Sequence, residues 1–161
     1  MKKILLIATI VLSLHVKSQC TFGSFPPSYS TSGGWTNGVW LAKMYTLSTT
    51  ATVTGFGLYA NAVTNTQYQM AIYTDAAGLP GNLITASGLG TMSIGQNTIA
   101  ASSVSVLPSG NYWVMAYYYG SGTPVTNGNS TSAFFYQIAL SGTLPANSSS
   151  WTNGGNQNMD T

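Results

Sequence analysis

Tyr112-Trp113-Val114-Met115-Ala116-Tyr117-Tyr118-Tyr119, YWVMAYYY, is apolar or aromatic at every position. Successive side chains of a strand point to opposite faces of a sheet. A strand without a polar face has to be covered on both sides, so this segment belongs at the centre of a sheet. Pro108-Ser109-Gly110-Asn111, just before it, is a run of turn formers.

Working outward, short apolar stretches alternate with turn residues at the spacing of a sandwich or barrel. Val39–Leu47 places Leu41, Lys43, Tyr45 and Leu47 on one face and Trp40, Ala42 and Met44 on the other. In Val53–Ala60, the residues Val53, Phe56 and Leu58 share a face only if one residue is inserted, so a bulge is expected near Thr54-Gly55. Gln67–Thr74 alternates, with Tyr68, Met70 and Ile72 inward and Gln67, Gln69 and Ala71 outward. Asp75–Asn82, DAAGLPGN, is dense in turn formers and reads as a tight connection. Leu83–Ser87, Thr91–Ile94, Thr98–Ala100 and Ser103–Leu107 are weaker strands, and Ala133–Leu140, AFFYQIAL, is the last clear one. The tail from Ser141 reads as loop. Residues 19–37 read as an extended leader whose aromatics, Phe22 and Phe25, tuck against the domain. Beyond the N-terminal segment no stretch keeps a helical period, and β-branched and aromatic residues dominate. The reading is all-β with antiparallel strands.

Charge is nearly absent. The 161 residues include no Arg and no Glu, and 20 Ser, 21 Thr, 12 Asn and 6 Gln supply the polar surface instead. Lys2 and Lys3, the apolar run Ile4–Leu14, and Val16 and Ser18 at the −3 and −1 positions form the pattern of a secretory signal. The run is too short to span a bilayer, which takes about 20 apolar residues. Residues 1–18 are therefore expected to be cleaved, leaving Gln19 first and no membrane anchor. His15 and three of the four Lys leave with them; Lys43, Asp75 and Asp160 remain, a side-chain balance of −1. Cys20 is the single cysteine, so no intramolecular disulfide forms, and Lys17-Ser18-Gln19 before it does not match a lipidation site.

This inventory excludes whole classes of function. Nucleic-acid binding rests on clustered Lys and Arg, which are missing. Histidine-based nucleophilic catalysis has no histidine, and paired-carboxylate chemistry would have to join Asp75 to Asp160 in the tail. Zinc lacks ligands. No catalytic residue is assigned and the protein is not expected to be an enzyme. Calcium is the one metal in question, with Asp75 as a weak candidate ligand; a self-capped turn is the favoured role for that carboxylate, and no cofactor is expected.

LAKMYTLS from Leu41, ATVTGFGLY from Ala51, MAIYTDAAGLPG from Met70 and LPSGNYWV from Leu107 together resemble a jelly-roll β-sandwich module of secreted and cell-surface proteins of bacteria and archaea. The specific part is AIYTDAAGLPG with the later SGNYWV. The resemblance implies a jelly-roll-like antiparallel sandwich over residues 38–161 and an accessory role, carbohydrate-binding or adhesive, without shared catalytic residues. In that pattern a closing strand follows the last loop, and none is read here.

Neutral sugars are bound by aromatic faces and neutral hydrogen-bonding groups, and the 4 Trp and 10 Tyr with the many amides suit that chemistry. Trp40 and Trp113 lie in strands and read as core. Trp35 and Trp151 lie in loops, each opening a Trp-Thr-Asn-Gly tetrapeptide, so Trp35, Asn37, Trp151 and Asn153 are the candidate ligand-binding residues, the alternative being that each Trp closes an end of the sandwich core. The expected partner is a glycan or surface polymer outside the cell or at its surface. The alternative is a structural or adhesive subunit that self-associates, or joins a neighbouring domain, through an open sheet edge lacking lysine protection.

Overall fold

The computed structural model describes residue 22 and residues 31–34, 40–63, 66–120, 125–128, 133–137, 144–147 and 152–157. Those residues form strands and no helix: β1 (Thr31–Gly34), β2 (Trp40–Leu47), β3 (Ala51–Ala62), β4 (Thr66–Asp75), β5 (Pro80–Ala86), β6 (Gly90–Thr91), β7 (Gly95–Leu107), β8 (Gly110–Gly120), β9 (Val125–Gly128), β10 (Ala133–Gln137) and β11 (Thr152–Gln157). Every pairing is antiparallel. A small four-stranded sheet has the order β1-β9-β3-β7. A large seven-stranded sheet has the order β11-β10-β2-β8-β4-β5, with β6 beside β4. The all-β reading holds.

β8 lies between β2 and β4, as its two apolar faces require. Its inner face, Tyr112, Val114, Ala116 and Tyr118, joins Leu41, Tyr68, Met70 and Ile72 of the large sheet to Phe56, Leu58, Ala60 and Leu107 of the small one. Both sheets therefore share one core. Burying each large side chain stabilises the fold by about 1.5–3 kcal/mol, enough for a chain that has almost no charge to pair. Phe22 also packs here, edge-on to Tyr45 and Tyr112 at 5.8 and 6.2 Å between ring centroids. The bulge expected near Thr54-Gly55 is present as a register shift between Val53 and Gly55.

The outer face of the large sheet is covered too. Ala42, Ala71, Tyr73, Trp113, Met115 and Tyr117 form a second buried cluster, with Leu83, Ala86 and Leu144 against it. Ala71 is expected to face outward; it does, yet it has no exposure, because the second cluster covers this part of the face. The cover includes Leu144–Asn147, a strap that binds the edge of β5. The Leu83 amide donates to the Ala146 carbonyl at 3.0 Å, and Asn82 and Asn147 form an antiparallel bridge. The chain leaves the sheet at β10, reaches β5, and returns to β11. That crossing spans four strand spacings, about 19 Å.

Several sequence expectations change. The tail from Ser141 is not all loop: it carries the strap and β11, which pairs β10. β1 lies within the stretch read as an extended leader and pairs β9. Thr98–Ala100 and Ser103–Leu107 are parts of one strand, β7. Thr91–Ile94 shrinks to the short β6, because buried Asn97 captures the chain beyond it. Its Oδ1 accepts the Ser93 amide at 2.7 Å, and its Nδ2 donates to the Ser93 and Gly95 carbonyls at 2.7 and 3.0 Å. Gly95, at φ 97°, takes the left-handed conformation this turn needs. Ile94 is left 70% exposed, not in a strand.

Candidate functional site

β4 and β8 run side by side across the outer face, and their register places the polar chemistry there. At one end Tyr73 opposes Trp113; at the other Gln67 opposes Tyr119. Directly opposed residues share a face, so these pairs belong to one surface.

At the first end every polar group has a use. The Tyr73 hydroxyl donates to the Pro145 carbonyl of the strap at 2.9 Å. The Trp113 indole N–H donates to Asp75 Oδ1 at 2.9 Å, and the Gly78 amide donates to the same oxygen at 3.0 Å. Asp75 thus closes the turn between β4 and β5 and fixes the buried indole. The turn itself is tight, with Ala77 and Gly78 in the left-handed region at φ 55° and 84°. Burial pushes the Tyr73 phenol well above its ordinary range. Asp75 Oδ1 thus accepts two hydrogen bonds, and among the described residues no three His, Cys, Asp or Glu side chains cluster. Lys43 sits at the register position of Val114, whose side chain is inward, and its ammonium lies 5.3 Å from the Tyr45 ring centroid.

The register of the large sheet aligns Asn153 of β11, Tyr136 of β10, Trp40 of β2, Tyr117 of β8 and Gln69 of β4. Tyr117 is buried, and Gln69 donates to the Ser87 carbonyl at 2.8 Å. Burial first, and the neighbouring Tyr119 second, raise the Tyr117 phenol above its ordinary value.

The second end is different. Tyr119 is 47% exposed, and its ring leans on Tyr117 at 6.2 Å and 36° between planes. Gln67, half-buried, opposes it, and exposed Thr91 of β6 opposes Gln67. Among the described residues no side-chain hydrogen bond engages the Tyr119 hydroxyl, the Gln67 amide or the Thr91 hydroxyl. β6 can lie so close to β4 because of Gly90: a Cβ there would meet Ile99 Cδ1 at 2.8 Å and the Tyr68 ring at 3.1 Å.

Of the residues singled out from sequence, Trp35, Asn37 and Trp151 lie outside the described residues. Asn153 takes the register position opposite Tyr136. Asp75 is the turn cap that was favoured over a metal ligand, and Trp113 is core at 1% exposure. Sequence reasoning passed over Tyr119, Gln67 and Thr91 as a group. Alternation placed Tyr119 with Tyr117 and Gln67 with Gln69, but only the register brings the two strands' residues into one row. No family model matches this chain, and no curated protein and no solved structure matches it.

Proposed function

We propose that this protein is a secreted, non-catalytic β-sandwich module of jelly-roll topology that binds glycans or other surface polymers through neutral aromatic and amide groups. The topology is supported by strand order. Eight strands, β1 to β5 and β7 to β9, divide between the sheets in the orders β1-β9-β3-β7 and β2-β8-β4-β5, as two interleaved Greek keys do. The β10–β11 pair extends the second of these.

The observation that carries the binding reading is the outer face of the large sheet, where aromatic and amide side chains gather and the one described carboxylate, Asp75, is hydrogen-bonded to Trp113 and Gly78. Stacking on a sugar face with amide hydrogen bonds gives weak, multivalent-type affinity, with a Kd of ~10 μM to ~1 mM. A glycan array probed with the exported protein tests this, and binding to no glycan overturns it. N-terminal sequencing tests export, with a start at Gln19 expected; retention of Met1 in the cytoplasm would overturn it.

A second reading, an assembling subunit, draws on Val104 and Val106 of β7, which are 68% and 65% exposed at the edge of the small sheet with no lysine beside them in the strand. Part of that edge is taken: Ser87 bridges Ala101, and the Thr85 hydroxyl donates to the Ser103 carbonyl at 2.8 Å. Size-exclusion chromatography across concentrations separates the two, since assembly would raise the apparent mass.

A further inference from the structure

We propose that the ligand contact is the row Tyr119–Gln67–Thr91 at the open end of the large sheet's outer face, and that it takes neutral polysaccharide chains and not acidic ones. This rests on the glycan-binding reading above and names its site and substrate class.

Three observations converge on the row. Tyr119 is the most exposed aromatic among the described core and surface aromatics, and its ring packs beside that of Tyr117 with 6.2 Å between centroids. A flat, pre-positioned ring is what stacking on a sugar face requires, since little order is lost on binding. Gln67 and Thr91 follow it in direct register on β4 and β6. Their amide and hydroxyl offer both donors and acceptors, uncommitted to other side chains among the described residues. Across three adjacent strands the row spans about 10 Å, long enough for more than one sugar ring along a chain. Leu89, 52% exposed in the turn before β6, adds an apolar border.

Charge decides the class. Asp75 is at the far end of β4 and is bound by Trp113 and Gly78, and Lys43 stacks with Tyr45 at an inward register position. No described side chain near the row carries the positive charge that a uronate or sulfate would need in exchange for its hydration. The strap excludes the other end of the face. There the aromatics have their polar atoms bound and lie under Leu144 and Pro145. Among the described side chains of β4, β6 and β8, a chain lying on the outer face therefore meets uncommitted polar groups at the Tyr119 end.

The test is affinity electrophoresis of the exported protein in gels containing cellulose derivative, xylan or mannan as neutral probes, and polygalacturonate or alginate as acidic ones. Tyr119→Ala, Tyr119→Phe, Gln67→Ala and, as a control on the other sheet, Val106→Thr are run beside the unaltered protein. The expected result is retardation by at least one neutral probe. Tyr119→Ala should lose about tenfold in affinity with an unchanged melting midpoint, Tyr119→Phe should keep most of it, and Val106→Thr should match the unaltered protein. Retardation that survives Tyr119→Ala and Gln67→Ala would overturn the site while leaving the glycan reading in place. Stronger retardation by the acidic probes would overturn the substrate class. No retardation by any probe would overturn the glycan reading itself, and the site with it.

Discussion

The two ends of the outer face of the large sheet both lie on β4 and β8 and both carry a tyrosine, yet they have opposite fates. At one end Tyr73 and Trp113 are buried, and each polar atom is bound, to the strap carbonyl of Pro145 and to Asp75. At the other, Tyr119 is half open beside an uncommitted amide and hydroxyl. The aromatic side chain does not carry the distinction. A tyrosine or tryptophan becomes structural when its one polar atom finds a partner under cover, because burying that atom unpaired would cost more than the ring gains. Where the strap is absent, that requirement lapses and the ring stays available.

The largest effect is expected from breaking the covered end. Trp113→Ala removes a fully buried indole and leaves Asp75 facing a cavity, so urea denaturation should show a loss of about 3–5 kcal/mol. A loss below about 1 kcal/mol would mean that the covered end contributes no more than the open one.

Alkaline titration comes next. Burial raises the phenols of Tyr68, Tyr73 and Tyr117 above the usual value of 10.0, so the folded chain holds these protons more tightly than the unfolded one. Their contribution is fully present below pH 10 and is lost as pH rises beyond it, by up to about 1.4 kcal/mol per pH unit for each tyrosine still protonated only in the folded state. With no histidine after residue 18, stability should be level between about pH 5 and 8. Urea midpoints measured across both windows check the sign; a steep change near neutrality would contradict it.

Tyr73→Phe keeps the ring and deletes the hydroxyl that holds the strap. It should cost about 1 kcal/mol and speed hydrogen exchange at the Leu83 amide, which donates to Ala146 of the strap. An unchanged Leu83 exchange rate would show that the strap is held elsewhere. The smallest effect is expected at the open end: Tyr119→Ala should shift stability by no more than about 0.5 kcal/mol. A larger loss would make Tyr119 a packing residue and remove the contrast between the ends.

Much of this was legible in the residues alone. YWVMAYYY has no polar face, so β8 had to be central and covered on both sides, and it is from Tyr112 to Tyr118, while Tyr119 departs from that expectation at 47% exposure. DAAGLPGN had to turn, and the offset of Val53 from Phe56 had to be absorbed by a bulge. These follow from local chemistry: side-chain alternation, positive φ at turn residues, and a short carboxylate that reaches its own backbone. The strap and β11 were not legible, because Leu144–Asn147 and Thr152–Gln157 have the composition of loop and gain their order from the edges they bind.

The sequence by itself determined the all-β class, the central strand, the turn capped by Asp75, and the scarcity of charge that limits the chemistry of any site. Only the tertiary structure decided which aromatic is open. Tyr117 and Tyr119 are identical in kind and two residues apart on the same face, yet one is 2% and the other 47% exposed. Their surroundings come from strands and a strap distant in sequence, and register is a long-range property that no local pattern encodes.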